Sequence, residues 1–66
     1  MHIILNGQVI DLLKRETLAE LIIRLGLQHK KIAIEHNGTI IPKSLYDTTL
    51  LTEQDHLEII SAVGGG

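Results

Sequence analysis

The chain contains no cysteine, so disulfide staples, thiolate nucleophiles and Cys-based zinc sites are excluded from its 66 residues. It also has no Phe and no Trp, and Tyr46 is its only aromatic. With a formal net charge of −2, it offers neither a base-stacking platform nor a basic patch, which argues against nucleic-acid binding. Its apolar runs are too short to cross a bilayer, and its polar start lacks the layout of a signal peptide; the expectation is a soluble, cytoplasmic protein with no membrane role. What is present is aliphatic. Hydrophobic residues make up 44% of the chain and Ile, Leu and Val dominate them, which is core material for one small domain.

Local patterns order that material. His2-Ile3-Ile4-Leu5 is apolar and β-branched and runs into Asn6-Gly7, a pair suited to a type I′ hairpin turn, with Gln8–Asp11 returning. The period then changes: Leu18, Leu21, Ile22 and Leu25 line one helical face. Thr17 and Glu20 have the spacing of a capping box, Gly26 suits a left-handed helix end, and Glu20 and Arg24 are spaced as an i, i+4 ion pair. Lys31–Glu35 predicts a strand, Asn37-Gly38 a second tight turn, and Thr39–Ile41 a short return that Pro42 ends or places at a sheet edge. Residues 43–55 predict an irregular link with a short helical turn, anchored by Leu45, Tyr46, Leu50 and Leu51. Residues 56–63 predict the last strand. One helix covers one face of a four- or five-stranded sheet, giving a two-layer α+β domain over residues 1–63 with a flexible glycine tail at 64–66. The first and last strands are expected side by side at the centre, in parallel, with Ile3, Leu5, Leu57 and Ile59 facing the helix.

Catalytic groups are scarce. His2, His29, His36 and His56 show no close ligand spacing, so no metal site is expected and all four read as surface histidines. Glu16/Glu20 and Glu53/Asp55/Glu58 read as solvated charge, because acid–base work needs a cleft that excludes water. Ser44 and Ser61 have no histidine placed to activate them, and no phosphate-cradling glycine motif occurs. The exception is Gly64-Gly65-Gly66. Three extended residues reach at most about 11 Å, enough to thread a tunnel too narrow for a Cβ and present a carboxylate. A carboxylate becomes attackable only as a mixed anhydride, so its activation requires a partner enzyme. On the domain itself, Ile60, Ala62 and Ile4 are expected on the sheet face away from the helix, with Val63 beside the tail; such an apolar face marks a partner surface. Ile23 lies off the helical core stripe.

Taken together, Ile3-Ile4-Leu5-Asn6-Gly7, the helix, Asn37–Lys43 and the ending Asp55–Gly66 resemble the ThiS family, the thiamin-biosynthesis sulfur carriers related to ubiquitin. The resemblance covers essentially the whole chain and implies a ubiquitin-like β-grasp fold. Glu53-Gln54-Asp55 departs from the Asp-Gly-Asp turn common in that family. The resemblance further implies that Gly66 is adenylated by an E1-like, ATP-using, ThiF-like adenylyltransferase, with Gly65 and Gly64 entering the partner's active site. Sulfur from a cysteine desulfurase then yields a thiocarboxylate, which a ThiG-like thiazole synthase consumes. The chain would be a protein substrate and not an enzyme, binding no cofactor of its own. Rival readings are the small subunit of molybdopterin synthase, a ubiquitin-like modifier, and an interaction module with an inert tail.

Overall fold

The structure is a computed structural model that describes residues 1–61. Five strands, β1 (His2–Leu5), β2 (Gln8–Asp11), β3 (Ile32–His36), β4 (Thr39–Ile41) and β5 (His56–Ser61), form one mixed sheet. Their spatial order is β2-β1-β5-β3-β4, so the last strand in sequence is the central one. β1 and β5 pair in parallel, with Leu5 against Leu57, and every other pairing is antiparallel. A single helix, α1 (Leu18–Arg24), lies on one face, and a 3-10 turn, Lys43–Leu45, follows Pro42.

Both hairpins turn on the expected asparagine–glycine pairs. Asn6 and Gly7 have φ of 50° and 82°, and Asn37 and Gly38 have 50° and 87°, the left-handed values a type I′ turn demands. At α1, the Glu20 amide donates to Thr17 Oγ1 at 3.2 Å and the Thr17 amide donates to Glu20 Oε1 at 2.8 Å, closing the capping box. The chain leaves the helix through Gly26, at φ 75°. Leu18, Leu21 and Ile22 pack down onto Ile3, Ile34 and Leu57, with Leu12 and Leu51 closing the sides of the core. Leu5 and Ile59 are half-buried against it.

Several expectations are corrected. Leu25, placed on the core stripe, is 40% exposed because the helix ends at Arg24 and Leu25 serves as its C-cap. Leu45 and Leu50 are exposed, and of the link's apolar anchors only Leu51 is fully buried. The Glu20–Arg24 pair gives way to another: Glu20 is held by the cap, and Arg24 Nη2 reaches Glu16 Oε1 at 2.9 Å. Glu16 is therefore a buried, paired carboxylate and not solvated charge. The third strand is shifted by one residue, to Ile32–His36. The expected last strand, 56–63, is seen over His56–Ser61, and Ala62 and Val63 lie outside the described residues.

Candidate functional site

Two regions bear on function, the strand that precedes residues 62–66 and the open face of the sheet, and a polar hub at the start of β5 supports them. The tail residues Gly64, Gly65 and Gly66, with Ala62 and Val63, lie outside the described residues. What the structure places is the strand that precedes them. β5 is flanked by β3 along its whole length, through Ile32 opposite Ser61, but by β1 only as far as Leu57. Beyond that point the Asn6 side chain takes over: the Ile59 amide donates to Asn6 Oδ1 at 2.8 Å, and Asn6 Nδ2 donates to the Ile59 carbonyl at 3.2 Å.

Pleat alternation puts Ile4, Val9, His56, Glu58, Ile60, Ala33, Glu35 and Ile40 on the face away from α1. Ile60 and Val9 are each 67% exposed, Ile40 is 65% exposed, and Ile4 is half-buried. Ile4 and Ile60 share this face without touching. Ile4 is in register with His56, so Ile60 stands four residues further along β5, about 13 Å away. Ile60 has Ala33 as its cross-strand neighbour, while Ile4 has Val9. Glu58 stands directly opposite Glu35, a like-charge pair that disfavours the sheet locally. Ile23 is exposed on the opposite side, on α1.

The hub corrects two sequence expectations. Asp55 is buried, and His36, expected at the surface, is largely covered. The Asp55 carboxylate meets His36 Nε2 at 2.8 Å, Asn37 Nδ2 at 3.0 Å, the Thr52 amide at 2.8 Å and Thr52 Oγ1 at 2.9 Å. Burial alone would raise its pKa, but the hydrogen bonds from Asn37, His36 and Thr52 outweigh burial and lower it to about 2. Asp55 and His36 sit 19 residues apart in sequence, and no local spacing announces their contact. The hub faces no cleft. It ties the β3–β4 turn to the start of β5 and serves structure.

A hollow of about 830 Å³ lies between α1, the following loop and Tyr46. Ile22, Ile23 and Ile32 line it together with Lys30, Lys31 and Lys43, and its lining contains no nucleophile paired with a base. Among the described residues no group of His, Asp and Glu is placed to hold a metal ion, and no helix is long and apolar enough to cross a membrane.

A five-stranded mixed sheet in this order, with one helix across one face, is the ubiquitin-like β-grasp fold. The structure superposes on the crystal structure of the thiamine biosynthesis protein ThiS from Geobacter metallireducens with a TM-score of 0.85, 25% identity and full coverage of both chains. The ThiS family model matches residues 3–66, and the chain belongs to that family of thiamin-biosynthesis sulfur carriers. It is 35% identical over 63 residues to the sulfur carrier protein ThiS of Bacillus subtilis, covering 94% of this chain and 96% of that one. It is also 35% identical over 66 residues to a thiazole synthase of Paramagnetospirillum magneticum, where the match takes in all of this chain but only 20% of the synthase.

Proposed function

We propose that the carboxylate of Gly66 is the working group of this carrier: it is adenylated at the expense of ATP by an E1-like adenylyltransferase and then converted to a thiocarboxylate. Adenylation makes the carbonyl carbon electrophilic, and the outer sulfur of a persulfide supplied through a cysteine desulfurase displaces AMP to give an acyl disulfide. A thiol reductant then cleaves the S–S bond, leaving the thiocarboxylate and a disulfide. The thiocarboxylate is delivered to thiazole synthase for the thiazole ring of thiamin. In this reading the chain is a substrate of its partners, contributes no catalytic side chain, and works in the cytoplasm, where ATP is supplied.

The observation that carries the reading is the run Gly64-Gly65-Gly66 at the end of a family match that extends to residue 66. Glycines without Cβ atoms suit a narrow active-site channel, and the absence of cysteine leaves no thiol to compete for the cargo. The likeness to a stretch of a thiazole synthase supports that enzyme as the recipient, since a carrier-like segment and the synthase then share one polypeptide. Ile4 and Ile60, with Ala62 and Val63, supply apolar surface for docking, and Gly64 and Gly65 carry the terminus into the partner.

The test is the intact mass after incubation with ATP, the adenylyltransferase, a cysteine desulfurase, cysteine and a thiol reductant. The expected result is a gain equal to one oxygen-to-sulfur exchange, abolished when Gly66 is deleted. An unchanged mass with active enzyme overturns the reading in favour of an interaction module with an inert tail. Adducts on lysines instead indicate a modifier.

A further inference from the structure

We infer that Asn6 is a positioning residue for the sulfur-carrying terminus: its carboxamide stands in for a missing stretch of β1 and fixes the end of β5, the strand that precedes residues 62–66 in the chain. The inference rests on the proposed role of Gly66. The geometry behind it is local and specific. β1 ends at Leu5, because the chain must turn through Asn6-Gly7 into β2. Its last backbone bond to the central strand is the Asn6 amide donating to the Leu57 carbonyl at 2.8 Å. Two residues further along, the Ile59 amide and carbonyl still point toward the space that β1 has vacated. The Asn6 side chain fills it, accepting at 2.8 Å and donating at 3.2 Å, and so supplies the two bonds that flanking residues of a longer β1 would make.

The other hairpin repeats the device at the other end of the strand. The Asn37 amide donates to the His56 carbonyl at 2.8 Å, and the His56 amide donates to Asn37 Oδ1 at 2.8 Å. The asparagines of the two turns therefore grip the central strand from opposite flanks, Asn37 at its first residue and Asn6 near its last. Gly66 lies seven residues beyond Ile59. With the grip in place β5 is held from both flanks as far as Ile59, and from β3 alone at Ile60 and Ser61. Removing the Asn6 grip moves the last β1-side restraint back from Ile59 to Leu57 and leaves residues 58–61 held from β3 alone. That loosens the strand end that the terminus follows and raises the ordering cost of its capture.

Type I′ turns accept asparagine, aspartate or glycine at this position, so turn and grip can be separated. Asn6→Gly keeps the left-handed turn and removes both side-chain bonds. Asn6→Asp keeps the turn and the acceptor for the Ile59 amide while losing the donor. Hydrogen exchange and steady-state sulfur charging of the intact chain are measured together. For Asn6→Gly, exchange at the Ile59 amide is expected to rise about tenfold while Ile34 and Leu21 stay protected. The kcat/KM for charging is expected to fall about threefold or more through KM, with Asn6→Asp restoring part of both effects. The inference is overturned if Ile59 exchange is unchanged, or if protection falls equally at Ile34 and Leu21, which marks a loss of global stability. It is likewise overturned if exchange rises and KM does not. Failure of the unsubstituted chain to acquire sulfur would sink the carrier reading instead, and Ile59 exchange would still decide whether Asn6 holds the strand.

Discussion

Asp55 shows how much a single buried carboxylate can hold together in so small a core. Four donors from three residues converge on it, and they come from both sides of the β5 entry. Its pKa in the folded chain, about 2, lies below the ordinary 3.8, so the folded state binds fewer protons than the unfolded state between those values. The stabilisation is therefore fully present above the ordinary value and is lost as the pH falls through about 2, and it amounts to about 2 kcal/mol at neutral pH. Asp55→Asn is expected to lower stability at pH 7 by about 2 kcal/mol in urea titrations. The gap between variant and parent should close as the pH drops from 4 towards 2; a gap that stays constant would mean that the charge is not what matters. None of this is legible in the sequence. Asp55 reads there as one of a run of surface acids, and its partners His36 and Asn37 become neighbours only when β3 lies against β5. Glu16 is hidden too, since it precedes the Thr17 cap while its partner Arg24 is the last residue of α1, a pairing outside the i, i+4 rule.

At the scale of elements the sequence is far more informative, because turns and caps are encoded within a few residues. The two Asn-Gly pairs, the Thr17–Glu20 box and the Pro42 stop all stand where the local chemistry puts them. α1 has only seven residues and is too short to persist alone, so its start depends on the cap and its persistence on packing. Thr17→Ala is expected to cost about 1 kcal/mol, read as a shift in the urea midpoint at unchanged slope. Leu25 illustrates the limit of periodicity: it fits the apolar spacing, yet the helix has ended by then. Leu13 fits no stripe and is almost entirely exposed, while Leu12 beside it is buried. Which of that pair faces inward is set by the path from β2 to α1, not by any repeat.

On the scale of the whole molecule, the two sides of the sheet divide the labour. The helix side makes the core, and the open side presents isoleucines with Glu35 and Glu58 set against each other between them. Their mutual repulsion is relieved when a cationic side chain comes between them. Ile60 is 67% exposed, so Ile60→Lys is expected to change stability by no more than about 0.5 kcal/mol. Sulfur charging at limiting carrier should nevertheless fall about tenfold, if this face docks the partner. Unchanged charging would move docking elsewhere, with the lysine-lined hollow beside α1 the next candidate. The sequence indicated an apolar open face but not its arrangement, since the 13 Å offset between Ile4 and Ile60 depends on a parallel register that no short motif records. The central place of β5 also bears on how the protein is made. Ile3 meets Leu57 across nearly the whole chain, so neither hairpin can complete the core until residues 56–61 have left the ribosome. A chain cut short before that strand has no fold to hide in and is exposed to proteases. Each molecule that survives has therefore been checked, by folding alone, for the strand that precedes residues 62–66.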